Sequence, residues 1–325
     1  MDPLQAFSPC LGGQPGFEIW FAVMITPDTR QAIWVRYTLF RPAAGCPLPA
    51  SGILWASFYD AHHPELHCAG AERFEIDQIR LETAEVGFPR GLASPSRLTG
   101  ELATGLGLLS WDLRLTQAYP PLKYAPAFLE NLGIAKTKAV ITAPFAKADG
   151  EVRLADKAYP FIDAGSLLTH IWGSHYLEEL YWIFVPGFEG DSEGWALEIV
   201  SARPKPLGLA FTFAILTCKG KLVANHLLEA LSARVKPHYP LVNFEIKVGS
   251  INLSVDCCLD RDQTTRYVYT NPDGARRYIA HSDTGEVSCR IERPGSTRLL
   301  LARTAAVEFH GCQPWDQEPY INPLA

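Results

Sequence analysis

Apolar and polar residues alternate with a period of two along nearly the whole chain, and Gly, Pro, Asn and Asp break the pattern at short intervals. That period sends successive side chains to opposite faces of a strand, and an amphipathic helix does not produce it. Phe17–Thr26 and Gln31–Phe40 are two such runs, separated by Pro27-Asp28-Thr29-Arg30, a hairpin turn by composition. Further runs follow at Gly52–Tyr59, Ile79–Val86, Arg97–Ala103 and Leu108–Leu115, and then from Gly208 to Phe309. Asp149-Gly150, between Val140–Ala146 and Glu151–Leu154, predicts a tight hairpin, and Asp273-Gly274 and Thr284-Gly285 predict two more tight turns. Helical patterns are confined to Leu227–Val235 and, more weakly, Tyr124–Leu132. Many short strands with so little helix predict an all-β chain built as a barrel or sandwich.

A chain of 325 residues is too long for one ordinary core, and the sequence echoes itself. Glu18-Ile19-Trp20-Phe21 opens a hairpin whose second strand carries Trp34, and Tyr181-Trp182-Ile183-Phe184 opens another whose second strand carries Trp195. The expectation is two antiparallel barrels in tandem, over residues 1–174 and 175–325. Each half has about the eight strands that enclose one small ligand.

Charge and composition exclude several classes of partner. Net charge is −6 and no cluster of Lys and Arg exists to track a phosphate backbone, so no nucleic-acid partner is expected. The longest apolar run, Leu207–Thr217, is about half a bilayer crossing. Met1-Asp2-Pro3-Leu4-Gln5 lacks the basic start and apolar stretch of a secretory signal. A cytoplasmic location is expected, with transient contact at a membrane surface open and the oligomeric state undetermined. The eight cysteines form no Cys-x-x-Cys pair and read as reduced thiols. No phosphate-binding glycine loop and no Gly-x-Ser-x-Gly elbow is present. Asp60-Ala61-His62-His63-Pro64-Glu65-Leu66-His67 reads as a solvated loop without catalytic-zinc spacing, so no metal is expected. Eight tryptophans among 11% aromatic residues suit a pocket for an extended hydrophobic molecule.

Leu168-Thr169-His170-Ile171-Trp172-Gly173-Ser174-His175, followed by Glu178-Glu179-Leu180-Tyr181-Trp182, is the most distinctive segment. It resembles the His-x-Trp-Gly signature of the family that groups carotenoid 1,2-hydratase, tocopherol cyclase and the AttH-like proteins. The opening strands around Trp20 and Trp34, Ser110-Trp111-Asp112-Leu113 and the closing Val307-Glu308-Phe309-His310-Gly311 carry the same resemblance in the same order. It implies a double lipocalin-like (calycin) barrel, no organic cofactor, and water addition or ring closure on an isoprenoid in the enzymatic branches. Related fungal barrels imply a pericyclase acting on a polyene as the alternative, and a carrier or sensor of lipophilic ligands is a third reading. The hydratase branch has a Tyr and an Asp on a strand soon after the signature. Here Trp195-Ala196-Leu197-Glu198-Ile199-Val200 offers Glu198 alone, which sets carotenoid hydration apart.

The candidate catalytic pair is His170 and Trp172. Two positions apart on a strand, they share a face, placing a proton donor of near-neutral pKa beside an electron-rich indole that attracts a carbocation. The bland alternative has His170 bonding backbone while Trp172 fills the core. Arg36 sits in an apolar strand and must be paired or face a wet cavity, with Glu18 as its expected partner. The substrate-binding set is then Glu18, Trp20, Trp34, Arg36, Trp182 and Glu198. Whether Glu18 and Arg36 bind ligand or form a structural ion pair is open.

Overall fold

A computed structural model describes residues 1–124, 136–203, 208–317 and 319–325. It is 62% strand and 6% helix, so the all-β expectation holds. The Tyr124–Leu132 helix pattern falls, past Tyr124, outside the described residues. The chain resolves into two units. The first comprises Met1–Tyr176, Val268–Arg277 and Tyr320–Ala325, and the second Leu177–Tyr267 and Tyr278–Pro319. The expected division at 174/175 thus lies close to the chain's own crossing at Tyr176/Leu177, but two later segments return to the first unit.

The first sheet is built from β1 (Gly16–Ile25), β2 (Gln31–Arg41), β3 (Ser51–Asp60), β4 (Cys68–Glu75), β5 (Arg80–Glu82), β6 (Glu85–Phe88), β7 (Gly91–Ala93), β8 (Arg97–Thr104), β9 (Gly107–Thr116), β10 (Leu122–Lys123), β11 (Thr137–Leu154) and β12 (Lys157–Gly173). Its order is β4-β3-β2-β1-β12-β11-β9-β8-β7-β6-β5, with β10 on β11. The sheet curls until β4 meets β8, where a Cβ on Gly70 would lie 2.7 Å from the Ala103 carbonyl oxygen. A short helix α1 (Pro3–Phe7) is capped by Asp2.

The second sheet repeats the plan with β13 (Leu180–Val185), β14 (Ala196–Ala202), β15 (Phe211–Cys218), β16 (Lys221–Ala224), β17 (Arg234–His238), β18 (Leu241–Val248), β19 (Ile251–Cys258), β20 (Thr265–Thr270), β21 (Arg276–Arg293) and β22 (Ser296–Gly311). Its order is β16-β15-β14-β13-β22-β21-β19-β18-β17, so β13 pairs with β22 as β1 pairs with β12. Helix α2 (Leu227–Ser232) covers the first part of the expected Leu227–Val235 segment, whose Arg234 and Val235 belong to β17, and is closed by a His226–Glu229 capping box.

Two of the predicted turns are bulges. Asp149-Gly150 lies inside the continuous β11, and the chain reverses at Ala155-Asp156 instead, where Leu154 pairs with Lys157. Gly150 has φ +150°, and a Cβ there would fall 2.0 Å from the Asp112 carbonyl oxygen of β9. The glycine serves a close strand approach, not a turn. Thr284-Gly285 likewise sits at a register shift inside β21, with a Cβ position 2.6 Å from Val307. Asp273-Gly274 does turn, Gly274 N–H donating to the Asn271 carbonyl.

Burial separates two kinds of strand. β18 and β19 alternate one buried face with one exposed face. β1, β2 and β3 are buried on both faces, as are most residues of β13 and β14. Trp20, Val35, Tyr37 and Leu168 line the inner face of the first sheet, and Tyr181, Ile183, Leu197 and Val307 that of the second. Charged residues on these doubly covered strands cannot reach water and must find partners in the protein.

Candidate functional site

Three buried polar groups result, one on the inner face of the first sheet and one on the outer face of each sheet.

On the inner face, β1 and β12 pair Trp20 with His170 and Glu18 with Trp172. The His170 ring stacks on Trp20 at 4.8 Å and packs against Trp172 at 4.8 Å, so the pair expected to share a face does so. Its Nδ1 lies 3.0 Å from the Ala6 carbonyl oxygen, an acceptor to which the ring N–H donates. Nε2 lies 2.9 Å from Glu18 Oε1, and Glu18 also accepts the backbone N–H groups of Cys10 and Leu11. Both imidazole nitrogens are therefore engaged in a sealed set that ties α1 to the sheet. Cys10, Glu18 and His170 present one ligand atom each within 4.8 Å, the one such convergence found among the described residues. Their hydrogen bonds already use both Glu18 oxygens and both His170 nitrogens, so an ion would have to displace them.

The expected Glu18–Arg36 pair does not form. Arg36 opposes Phe21 in the β1–β2 register and Glu18 opposes Leu39. An offset of three residues puts the two side chains on opposite faces of the sheet. Arg36 lies on the outer face with Trp34, held by Thr38 and Tyr176, while Glu18 belongs to His170.

In the second unit, Trp182, Glu198, His281 and Glu308 occupy the outer face, since Ile183, Leu197 and Val307 point inward. Trp182 Nε1–H donates to Glu198 Oε1 at 3.1 Å, and the indole stacks parallel to His281 at 6.2 Å. His281 stands between two carboxylates, Nδ1 at 2.9 Å from Glu308 Oε2 and Nε2 in ion-pair contact at 2.9 Å with Asp283 Oδ1. The other Glu308 oxygen meets His310 Nε2. His281 and Asp283 are fully buried, Glu308 and His310 nearly so. Buried ionisable clusters of this kind concentrate at functional sites.

The titrations of His281, Asp283 and Glu308 are linked. Burial alone would lower His281, but the charge of Asp283 and hydrogen bonds to both carboxylates push it up to about 9. Burial alone would raise Glu308, yet His310 and His281 hold it well below the carboxylate range. For Asp283 burial wins and the carboxyl is raised, His281 offsetting part of the shift and Glu308 adding to it. The two carboxyls are thus driven in opposite directions, Glu308 down by its two histidines and Asp283 up by burial. Asp283 Oδ2 is buried with no hydrogen-bond partner among the described residues.

Sequence reasoning placed Trp182 and Glu198 in this set and missed its titratable centre. Glu308 and His310 lay in a stretch that carried the resemblance, without a role; their spacing of two, and that of His281 and Asp283, was the available signal. The segment with His62, His63 and His67 is a 3₁₀ turn whose amides at His62 and His63 are capped by Asp60.

No family model matches the chain. It is 21% identical over 291 residues to the uncharacterized protein Rv0493c of Mycobacterium tuberculosis, covering 86% of this chain and 82% of that one. Among solved structures it is similar to a candidate AttH of Nitrosomonas europaea, with a TM-score of 0.58 at 13% identity over 95% of this chain and 96% of that one. Kievitone hydratase of Nectria haematococca gives 0.58 at 10% identity, over 97% and 94%. CghA in complex with Sch210972 gives 0.56 at 11%, over 91% and 88%. The fold is that of the AttH-like double lipocalin barrels, as the His170-Ile171-Trp172-Gly173 resemblance implied. At such identities the likeness is one of fold. Among the described residues no helix is long and apolar enough to cross a membrane.

Proposed function

We propose that the protein is a cofactor-independent enzyme that protonates an extended hydrophobic small molecule, an isoprenoid or polyene, and directs the resulting cation to ring closure or hydration. The Asp283 carboxyl carries this reading: fully buried, raised in pKa, backed by His281, and with one oxygen unpartnered. In the first step the Asp283 O–H bond breaks and an alkene π pair takes the proton, leaving a cation on the neighbouring carbon. The carboxylate formed is stabilised by the adjacent His281, which lowers the cost of releasing the proton. Trp182 offers an indole face for the cation, an attraction of about 0.5–2 kcal/mol, and its hydrogen bond to Glu198 makes the ring more electron-rich. Attack by a second π bond or by water, followed by return of one proton to Asp283, closes the cycle.

In this reading Glu18, Trp20, His170 and Trp172 pin α1 and the first sheet, since neither imidazole nitrogen is left to serve a substrate. Two structural relatives support small-molecule chemistry on the fold: one is a hydratase, and another is solved holding Sch210972. The test is product analysis with geranylgeraniol, squalene and retinol, seeking isomers or products heavier by one water. Asp283→Asn should slow turnover by roughly 10²–10⁴-fold while binding persists. Wild-type turnover in that variant would remove Asp283 from the chemistry.

A further inference from the structure

Cys10, Glu18 and His170 meet beside α1, in a set that the acid chemistry does not use. Cys10 lies on the stretch between α1 and β1, Glu18 on β1 and His170 on β12. A thiol sulfur, a carboxylate oxygen and an imidazole nitrogen fall within 4.8 Å of one another. Glu18 and His170 are each 1% exposed, whereas Cys10 is exposed, so the set has a buried floor and one side open to solvent. Its members come from a loop, the first strand and the last, which is why no zinc spacing is visible along the sequence.

The hydrogen bonds leave a place for a cation. His170 Nδ1–H donates to the Ala6 carbonyl. Nε2 then faces Glu18 Oε1 at 2.9 Å, and two acceptors meet so closely only with a positive centre between them. A proton fills that place in the hydrogen-bonded state. A zinc ion can fill it too, and Cys10 Sγ stands beside it as a third ligand. The exchange balances: Zn²⁺ enters, the bridging proton and the Cys10 thiol proton leave, and the net charge of the site is unchanged. The penalty for adding charge to a buried place is thereby avoided.

The supporting contacts survive this exchange. The Ala6 carbonyl keeps Nδ1–H and so holds the ring in the tautomer that offers Nε2 to a metal. The Cys10 and Leu11 amides keep donating to the Glu18 carboxylate, which has lone pairs to spare for an ion. The contact given up besides the proton bridge is the weak one from the Cys10 thiol to the Ser8 carbonyl, at 3.3 Å. Tetrahedral zinc sets its ligand atoms about 3.3–3.6 Å apart, so Nε2 and Oε1 part by about half an ångström and the Cys10 side chain swings in from the solvent side. Thiolate and imidazole together select zinc over magnesium or calcium.

We propose that Cys10, Glu18 and His170 bind a zinc ion, with water from the open side as the fourth ligand. The ion clamps residues 8–11 onto β1 and β12. It takes no part in the chemistry of Asp283, which belongs to the other unit, so either proposal can fail alone.

In the test the full chain, dialysed against a chelator, is titrated with zinc chloride by calorimetry and with cobalt(II) chloride by absorption. Zinc should bind one to one, and cobalt should give the near-ultraviolet charge-transfer band of a thiolate ligand. Zinc should also raise the thermal midpoint and slow alkylation of Cys10 by iodoacetamide, read by peptide mass spectrometry. Cys10→Ser, at an exposed position, should abolish the cobalt band and the midpoint rise. It should weaken zinc binding by roughly 100-fold or more, since loss of a supporting residue alone costs about 10–100-fold. Glu18→Gln keeps an acceptor for the two amides but is a poorer ligand, and should weaken zinc in the same direction. Cys312→Ser, which removes an exposed thiol of the other unit, should change nothing. If Glu18→Gln does not fold, Cys10→Ser decides. Absence of one-to-one zinc binding, a cobalt band that survives Cys10→Ser, or equal zinc affinity in that variant overturns the proposal.

Discussion

Replacing Glu308 by Gln keeps the side chain's shape and removes the charge that His281 and His310 both face. His281 stands at about 9 in the folded protein against 6.5 ordinarily, a gap equivalent to about 3 kcal/mol. Because the folded value is the higher one, that stabilisation is fully present below pH 6.5 and is lost as pH rises through 9. Glu308 has the opposite sign: its folded value is depressed, so its contribution is present above the ordinary carboxylate range and is lost on acidification. Asp283 supplies part of the His281 shift, but removing one partner of a buried pair also strands the other, at about 3–5 kcal/mol. Glu308→Gln should therefore cost about 3 kcal/mol at pH 6, and the cost should narrow above pH 9, where His281 is neutral in the wild type as well. Urea unfolding followed by tryptophan emission from pH 4 to 10 reads the difference, and proton NMR reads the His281 titration. A cost under about 1 kcal/mol at pH 6, an equal cost at pH 6 and pH 10, or a wild-type His281 titrating near 6.5 would refute the electrostatic account.

His170→Gln should lower stability by about 2–4 kcal/mol, because Ala6 O and Glu18 lose a buried partner; a thermal midpoint within a degree of wild type would show that α1 does not depend on this pin. Gly150→Ala should cost more than about 3 kcal/mol, since its Cβ would sit 2.0 Å from the Asp112 carbonyl at φ +150°; a loss under 1 kcal/mol would mean the bulge yields. Glu198→Gln retains an acceptor for the Trp182 indole while removing the charge, so substrate binding should persist with turnover reduced several-fold; unchanged turnover would leave Glu198 a structural partner only.

The architecture was legible because period-two alternation survives wherever one face meets solvent, as in β18 and β19. The repeat was legible because each unit opens on a Trp-bearing strand that pairs with the unit's last strand. Turn chemistry misled at Asp149-Gly150 and Thr284-Gly285, where the glycine answers a neighbouring strand that local sequence does not reveal. The shared face of His170 and Trp172 followed from their spacing, whereas the partner of Arg36 did not. Pairing register decides which face a cross-strand neighbour takes, and a slip of one residue reverses the answer. His281, Asp283 and Glu308 escaped notice because charged residues on strands usually face water. Their burial depends on both faces of β13, β14, β21 and β22 being covered there, a tertiary fact.

On the proposed chemistry a proton from Asp283 becomes a carbon-bound hydrogen of the product, and solvent isotope incorporation tests this most directly. A carboxyl proton exchanges with solvent, so turnover in heavy water of whichever compound the product screen shows to react should place deuterium on a product carbon, located by mass spectrometry and NMR. Asp283→Asn should lose both the product and the label. A product formed in heavy water without carbon-bound deuterium would contradict the account and assign the chain a reaction that moves no proton.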